Sequence, residues 1–199
     1  MNPYLHLLSG IGSLAYWSAV LIATMASLCA AVITLRIPRR GLVVTSAAAL
    51  AVAVLLVAVP HPHASPLVTA LIGVAALGVS VIGGGPAVML VLAMASRGSV
   101  TDGIHGGILI EDARTSQPAS PHEVLRGGTT IGLFERFATA AAIMAGFPEA
   151  IAVVVAIKGV GRFTELDAAE ARERFIIGTM VSLVWACACG ALFRLTLGS

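Results

Sequence analysis

Charged residues are scarce in this sequence, and their scarcity limits the class of protein. Only 11% of the 199 residues are charged and 58% are hydrophobic, whereas a soluble domain carries roughly 25% charged residues. Too little polar surface remains to cover a soluble particle, so the lipid bilayer is the expected surrounding. The net charge of +2 is too small to indicate a nucleic-acid partner.

Residues typical of metal and cofactor sites are also few. The three cysteines lie in apolar runs, and Cys187 and Cys189 would point about 200° apart on a helix. His61 and His63 stand in a short proline-containing loop, where a solvated turn is the simpler interpretation. No glycine pattern matches a P-loop or a dinucleotide-binding fingerprint. We therefore expect no metal and no cofactor.

Long apolar runs recur along the chain and reach the roughly 20 residues needed to cross a hydrocarbon core. They predict an all-α fold, a polytopic transmembrane helical bundle of about six spans in one membrane domain. The predicted spans cover residues 13–35, 41–59, 66–83, 128–146, 149–163 and 175–195. A polar cytoplasmic loop is predicted at 97–126.

The third apolar run is too long for one ordinary span. Residues 66–96 would extend about 46 Å as a helix, against a core of roughly 30 Å. Three glycines cost helix stability and a proline removes a backbone donor, so we predict a broken helix at Gly83, Gly84, Gly85 and Pro86. The span would end there, or continue or kink to 96. The break would be a bend, or a site whose freed backbone groups bind an ion or substrate.

Four charged residues fall inside the fourth and fifth predicted spans, which form a hairpin. Glu135 and Arg136 lie in the first arm, and Lys158 and Arg162 lie in the second. An isolated charge in the bilayer is costly, so Glu135 is expected to pair with Lys158 or Arg162 at similar depth. Arg136 points about 100° away on the helix, and it is expected to reach the interface by snorkelling.

Small residues at helical spacing predict close packing of these spans. Gly128 and Gly132 form a GxxxG pair, and Gly178 and Thr179 with Ser182 form a second small-residue pattern. Such spacing lets helix backbones approach one another in lipid.

The residues of the hairpin and the last span resemble a known pattern. They read Ile131-Gly132-Leu133-Phe134-Glu135-Arg136, then Lys158, then Arg162-Phe163, then Ile177-Gly178-Thr179 with Ser182. This order is similar to a family of uncharacterised bacterial integral membrane proteins with the pattern G-x-x-I-G-x-L-E-R, K, R-F and I-G-T-x-x-S. The resemblance covers about residues 127–185, and Phe134 departs from the usual aliphatic residue. It implies no reaction, but implies that the hairpin and Gly178-Thr179 form one unit.

Three classes of function remain open. The leading one is a membrane protein whose charged cluster organises helices or binds lipid, a membrane protein partner or a second copy. The second is a small transporter or channel that uses the Gly83–Pro86 break with Glu135 and Lys158. The third is a membrane enzyme on lipid phosphates, with Asp102, Glu111 and Asp112 near arginines. No spacing indicates a catalytic centre, so a non-enzymatic role is favoured.

The arginines predict orientation in a bacterial inner membrane. The loops after the first, third and fifth spans contain eight arginines, and the opposite side contains only Arg194. Basic residues stay on the cytoplasmic side, so both termini should face outward.

Reporter fusions test this topology. A periplasm-active reporter fused after His63 should be active, and one fused after Thr115 should be inactive, because an odd number of spans separates the two loops. A cytoplasm-active reporter at the same positions is the control and should show the reverse. Equal activity of one reporter at both positions would contradict six spans.

Overall fold

The fold is a bundle of six helices, seen in a computed structural model that describes residues 3–60, 62–95, 101–102, 108–110, 122–124, 128–161 and 169–198. The helices are α1 (Pro3–Arg36), α2 (Arg40–Val57), α3 (Pro66–Ala95), α4 (Gly128–Ala145), α5 (Ala150–Gly161) and α6 (Ala169–Thr196). The predicted all-α bundle is confirmed. Four stretches are long and apolar enough to cross a membrane, namely Gly10–Arg36, Arg40–Val57, Pro66–Ala95 and Ala171–Thr196.

Helix α3 is continuous, and the predicted break at Gly83–Pro86 is wrong. Pro86 lies inside the helix, so the alternative in which the run continues to its end is the right one. Propensity is a weak guide where tertiary contacts compete with it, and Pro and Gly are tolerated inside membrane helices whose freed backbone groups find other partners.

The polar loop contains a small sheet that the sequence analysis did not predict. Its strands are β1 (Thr101–Asp102), β2 (Ile108–Ile110) and β3 (His122–Val124), antiparallel in the order β1-β2-β3. The remainder of 97–126 lies outside the described residues, as do Glu111, Asp112, His61 and Arg162.

Helices α3 and α6 form an antiparallel pair at the centre of the bundle. Glycines allow large side chains of α6 to reach the α3 backbone, since a Cβ on Gly73 would lie 2.8 Å from Phe193 Cδ2, and one on Gly83 would lie 2.6 Å from Trp185 Cζ2. A Cβ on Gly178 would lie 3.4 Å from Val88 Cγ1, an ordinary contact distance. Small residues thus determine how closely the central helices pack.

Helices α1 and α2 pack antiparallel, fixed by polar contacts along their length. Tyr16 Oη donates to Leu56 O at 2.6 Å. Ser27 Oγ donates to Ser46 O at 2.8 Å, and Ser46 Oγ is 3.0 Å from Ser27 O. Trp17 Nε1 donates to Pro62 O at 3.2 Å, which ties the middle of α1 to the loop after α2.

Helix α4 is antiparallel to α3 and parallel to α6, and the chain returns through a tight turn into α5. A Cβ on Gly146, which has φ of 83°, would lie 3.6 Å from Arg194 Nη1. The turn and the end of α6 are therefore neighbours. The opposite end of the bundle holds the junction of α1 with α2 and the start of α6. We call it the arginine-rich end, and its arginines are Arg36, Arg39, Arg40, Arg172 and Arg174.

The reciprocal serine contact should contribute measurably to stability. Ser46→Ala removes one hydroxyl of the buried pair and should lower the free energy of unfolding by about 0.5–1.5 kcal/mol, the range seen for hydrogen bonds between membrane helices. Thr45→Ala is the matched control, because Thr45 is exposed and bonds only Gly41 O of its own helix. Thermal unfolding in detergent measures both, and an equal effect of the two substitutions would contradict a cross-helix role.

Candidate functional site

Glu135 and Lys158 form an ion pair across the hairpin of α4 and α5. Lys158 Nζ lies 2.6 Å from Glu135 Oε2, and the two side chains are 18% and 11% exposed respectively. This is one of the two pairings predicted for Glu135, and the alternative partner, Arg162, lies outside the described residues. The pair is largely withdrawn from the surroundings, so each charge depends on the other for its stabilisation.

The ion pair also contacts α6. The ammonium of Lys158 is 5.5 Å from the centre of the Phe175 ring, a distance suited to a cation–π interaction. Helix α5 has no buried residue, so this side chain is a main link between α5 and the bundle. The second carboxylate oxygen, Glu135 Oε1, is buried and has no hydrogen-bond partner among the described residues.

Arg136 does not snorkel to the interface, so that prediction is wrong. Its side chain is only 5% exposed, and Nε donates to Val81 O of α3 at 3.2 Å. Nη1 is 3.5 Å from Ser182 Oγ of α6, at the limit of a hydrogen bond. In return, Ser80 Oγ donates to the backbone oxygen of Arg136 at 3.1 Å. The guanidinium thus joins α3, α4 and α6.

The glycines of α3 explain why Arg136 turns inward. A Cβ on Gly84 would overlap Cδ of Arg136 and would lie 2.9 Å from its Nε, and one on Gly83 would overlap the Trp185 ring. Trp185 Nε1 donates to Val79 O at 2.9 Å. We call Gly83, Gly84 and Gly85 the glycine notch. It is a packing surface that is filled by one arginine and one tryptophan.

The small residues predicted for helix packing have different roles. Gly132 makes room for the guanidinium, since its Cβ would lie 3.0 Å from Arg136 Nη1. Gly178 meets α3, and Ser182 contacts Arg136. Thr179 is buried with no hydrogen-bond partner for its hydroxyl among the described residues. Gly128 begins α4 and is half-buried.

The arrangement keeps two positive charges and one negative charge within one turn of α4 and its neighbours. Lys158 neutralises Glu135, whereas in the described part of the chain the hydrogen-bond partners of the Arg136 guanidinium are a backbone carbonyl and a hydroxyl, both neutral. Oxygen acceptors can satisfy a guanidinium without a carboxylate, and charges within spans usually face the bundle interior. The site therefore has the geometry of an internal clamp between helices.

Two residues of the site were not predicted, Ser80 and Trp185. A tryptophan in the middle of a span, away from the headgroup level where it is usually found, is the sequence signal that marks Trp185. Ser80 carried no comparable signal, because isolated serines are common in membrane helices. Among the described residues no group of His, Cys, Asp and Glu could hold a metal ion, and Asp102 lies in β1.

Comparison of the chain with protein-family models, curated proteins and solved structures finds no match. The resemblance to the uncharacterised bacterial family therefore stays a prediction. Fold and site together define a helical bundle with membrane-like helices and an internal arginine clamp.

The glycine notch can be tested with adjacent glycines. Gly84→Ala should destabilise the protein by about 1–3 kcal/mol and displace Arg136, because its methyl group would overlap the arginine stem. Gly85→Ala is the control, since its nearest neighbour would be Arg136 Nη2 at 3.7 Å, and both changes raise helix propensity alike. Unfolding midpoints in detergent measure the difference, and equal midpoints would show that the notch does not hold Arg136.

The ion pair can be tested with a double-mutant cycle. Glu135→Gln leaves Lys158 uncompensated and should lower the free energy of unfolding by up to about 3 kcal/mol, the lower end of the range for a broken buried pair. Adding Lys158→Met should recover part of that loss. Glu149→Gln, at the exposed turn between α4 and α5, is the control. If the double variant is no more stable than Glu135→Gln, the coupling is absent.

Proposed function

We propose that this chain is a multi-pass protein of the bacterial cell membrane that acts by binding a lipid or a membrane partner within the bilayer. Its charged cluster serves to hold the helices together. The observation that carries this proposal is the filling of the glycine notch by Arg136 and Trp185. A transporter that used these residues would need a water-accessible cavity at the glycine notch. The side chains of Arg136 and Trp185 occupy that space.

Several contacts support six membrane passes, although α4 and α5 are less suited to crossing alone. Helix α5 has 12 residues, about 18 Å at 1.5 Å per residue, which is shorter than the core. The hairpin nevertheless runs beside most of α6, since its turn adjoins Arg194 and Lys158 reaches Phe175. A short helix in such a position is accommodated by local thinning of the bilayer or by packing.

The distribution of arginines over the bundle supports the proposed orientation. The helix pairings put Arg36, Arg39, Arg40, Arg172 and Arg174 at one end and Arg194 at the other. An arginine-rich end that faces the cytoplasm would leave both termini outside. This orientation belongs to the proposal and rests on the charge bias.

Cysteine accessibility distinguishes the proposal from transport. In a variant with the three native cysteines replaced by alanine, Gly85→Cys should not react with a membrane-impermeant thiol reagent in intact cells or in inverted vesicles, because Arg136 and Trp185 occupy the space at the neighbouring Gly83 and Gly84 and Gly85 lies well inside α3. His63→Cys, in the exposed loop after α2, is the control and should react from one side. Reaction of Gly85→Cys from either side would reveal a water path, and would move the transporter hypothesis ahead.

A further inference from the structure

A large apolar groove lies on one side of the bundle, between α2, α3 and α6. Its volume is about 760 Å³ and every lining side chain is apolar, among them Val43, Ala47, Leu90, Val184 and Trp185. Ligand cavities in proteins have volumes of roughly 300–1,000 Å³. Neither Glu135 nor Arg136 lines the groove, so it is separate from the charged cluster.

The length and opening of the groove suit a hydrocarbon chain. Its α2 wall runs from Val43 to Leu55, which is about 18 Å along a helix, and one leaflet of a roughly 30 Å core is about 15 Å deep. Val44 is 57% exposed, Leu55 is 67% exposed and Val184 is 69% exposed. The groove therefore opens sideways, where the tails of a surrounding bilayer would lie.

One end of the groove leads to positive charge. Arg40 precedes Val43, Val44 and Ala47 by three, four and seven residues. This spacing puts Arg40 on the face of α2 that lines the groove, one helical turn closer to the start of the helix. Arg39 comes directly before it, and both are exposed. Within the described part of the chain no carboxylate pairs with either arginine. A negative group bound at this end would therefore meet unshielded basic side chains.

We propose that the groove binds one acyl chain of an anionic glycerophospholipid, whose phosphate lies beside Arg40. The site rests on the proposed function only in that it requires the chain to be embedded in a membrane. A helix of a second copy would fit the apolar walls less well electrostatically: α5, which has no buried residue, contains no carboxylate and would leave Arg40 without a counter-charge. A phosphate supplies that charge and a tail fills the groove.

Native mass spectrometry of the purified full chain tests the headgroup. The probes are phosphatidylglycerol and phosphatidylcholine with identical acyl chains. One phosphatidylglycerol per chain should be retained in preference to phosphatidylcholine. Arg40→Gln should reduce that preference about fivefold, the effect of one basic residue near an anionic surface, and Arg40→Lys should preserve most of it.

Neighbouring alanines test the groove itself. Ala47→Phe places a ring among the lining residues and should abolish retention of both lipids. Ala48→Phe is the matched control, because Ala48 is exposed on α2 and does not line the groove, and retention should be unchanged. Equal effects of the two substitutions would overturn the proposal.

Tryptophan fluorescence gives a second readout that needs no groove variant. The chain contains two tryptophans, so Trp17→Phe leaves only Trp185, which lines the groove. Phosphatidylglycerol with a brominated acyl chain should quench this fluorescence saturably, and more strongly than brominated phosphatidylcholine at equal mole fraction. Equal, unsaturable quenching by both lipids would mean general bilayer contact and would overturn the proposal.

The outcomes separate the two proposals. Release of the chain from membranes by alkaline carbonate would refute membrane embedding, and with it both proposals. A chain that stays in the carbonate-washed membrane, yet shows no preference for phosphatidylglycerol, contradicts the lipid site alone. A dimer that excludes lipid from the groove would assign it to a second copy and would likewise overturn the lipid site.

Discussion

The contact between Arg136 and the backbone of α3 is the constraint on which the centre of the bundle depends. A guanidinium is never neutral in a protein, so its burial requires acceptors held in place. Val81 O provides one, and Ser182 Oγ lies at the edge of bonding distance on another helix. Because these acceptors belong to α3 and α6, the arginine of α4 fixes the relative position of three helices at once.

The same contact explains the composition of α3. If α3 carried larger side chains in place of Gly83 and Gly84, they would keep α4 and α6 further from the α3 backbone. Gly83 and Gly84 remove that spacing, and the arginine stem and the Trp185 indole occupy the room they leave. The helix continues through Pro86 to Ala95, where contacts with α6 surround it. The two glycines lower the intrinsic stability of the α3 helix, but they allow close contacts with Arg136 and Trp185.

The helical fold could be predicted from the sequence, but only part of the candidate site could. Uninterrupted apolar runs predict helices because the bilayer leaves few other ways to satisfy the backbone, and the pairing of Glu135 with Lys158 followed from depth and opposite charge. Neither the continuity of α3 nor the inward direction of Arg136 could be predicted. Both depend on contacts between residues 46 to 106 positions apart, whereas propensity and helical angles describe only neighbours along the chain. The apolar groove was equally invisible, because it exists only once α2, α3 and α6 have packed.

The arginine of α4 also bears on how the chain is made. If α4 crosses the membrane as proposed, an arginine at its centre opposes insertion by about 2.5–3.5 kcal/mol, and α4 carries an acid beside it. Synthesis delivers α3 before α4, so Val81 O is available when Arg136 leaves the ribosome, but Ser182 and Trp185 follow only with α6. The hairpin therefore stays partly unsatisfied until α6 has been synthesised. The clamp thus closes only once α6 has been made, and a chain truncated before α6 would leave Arg136 without its acceptor on that helix.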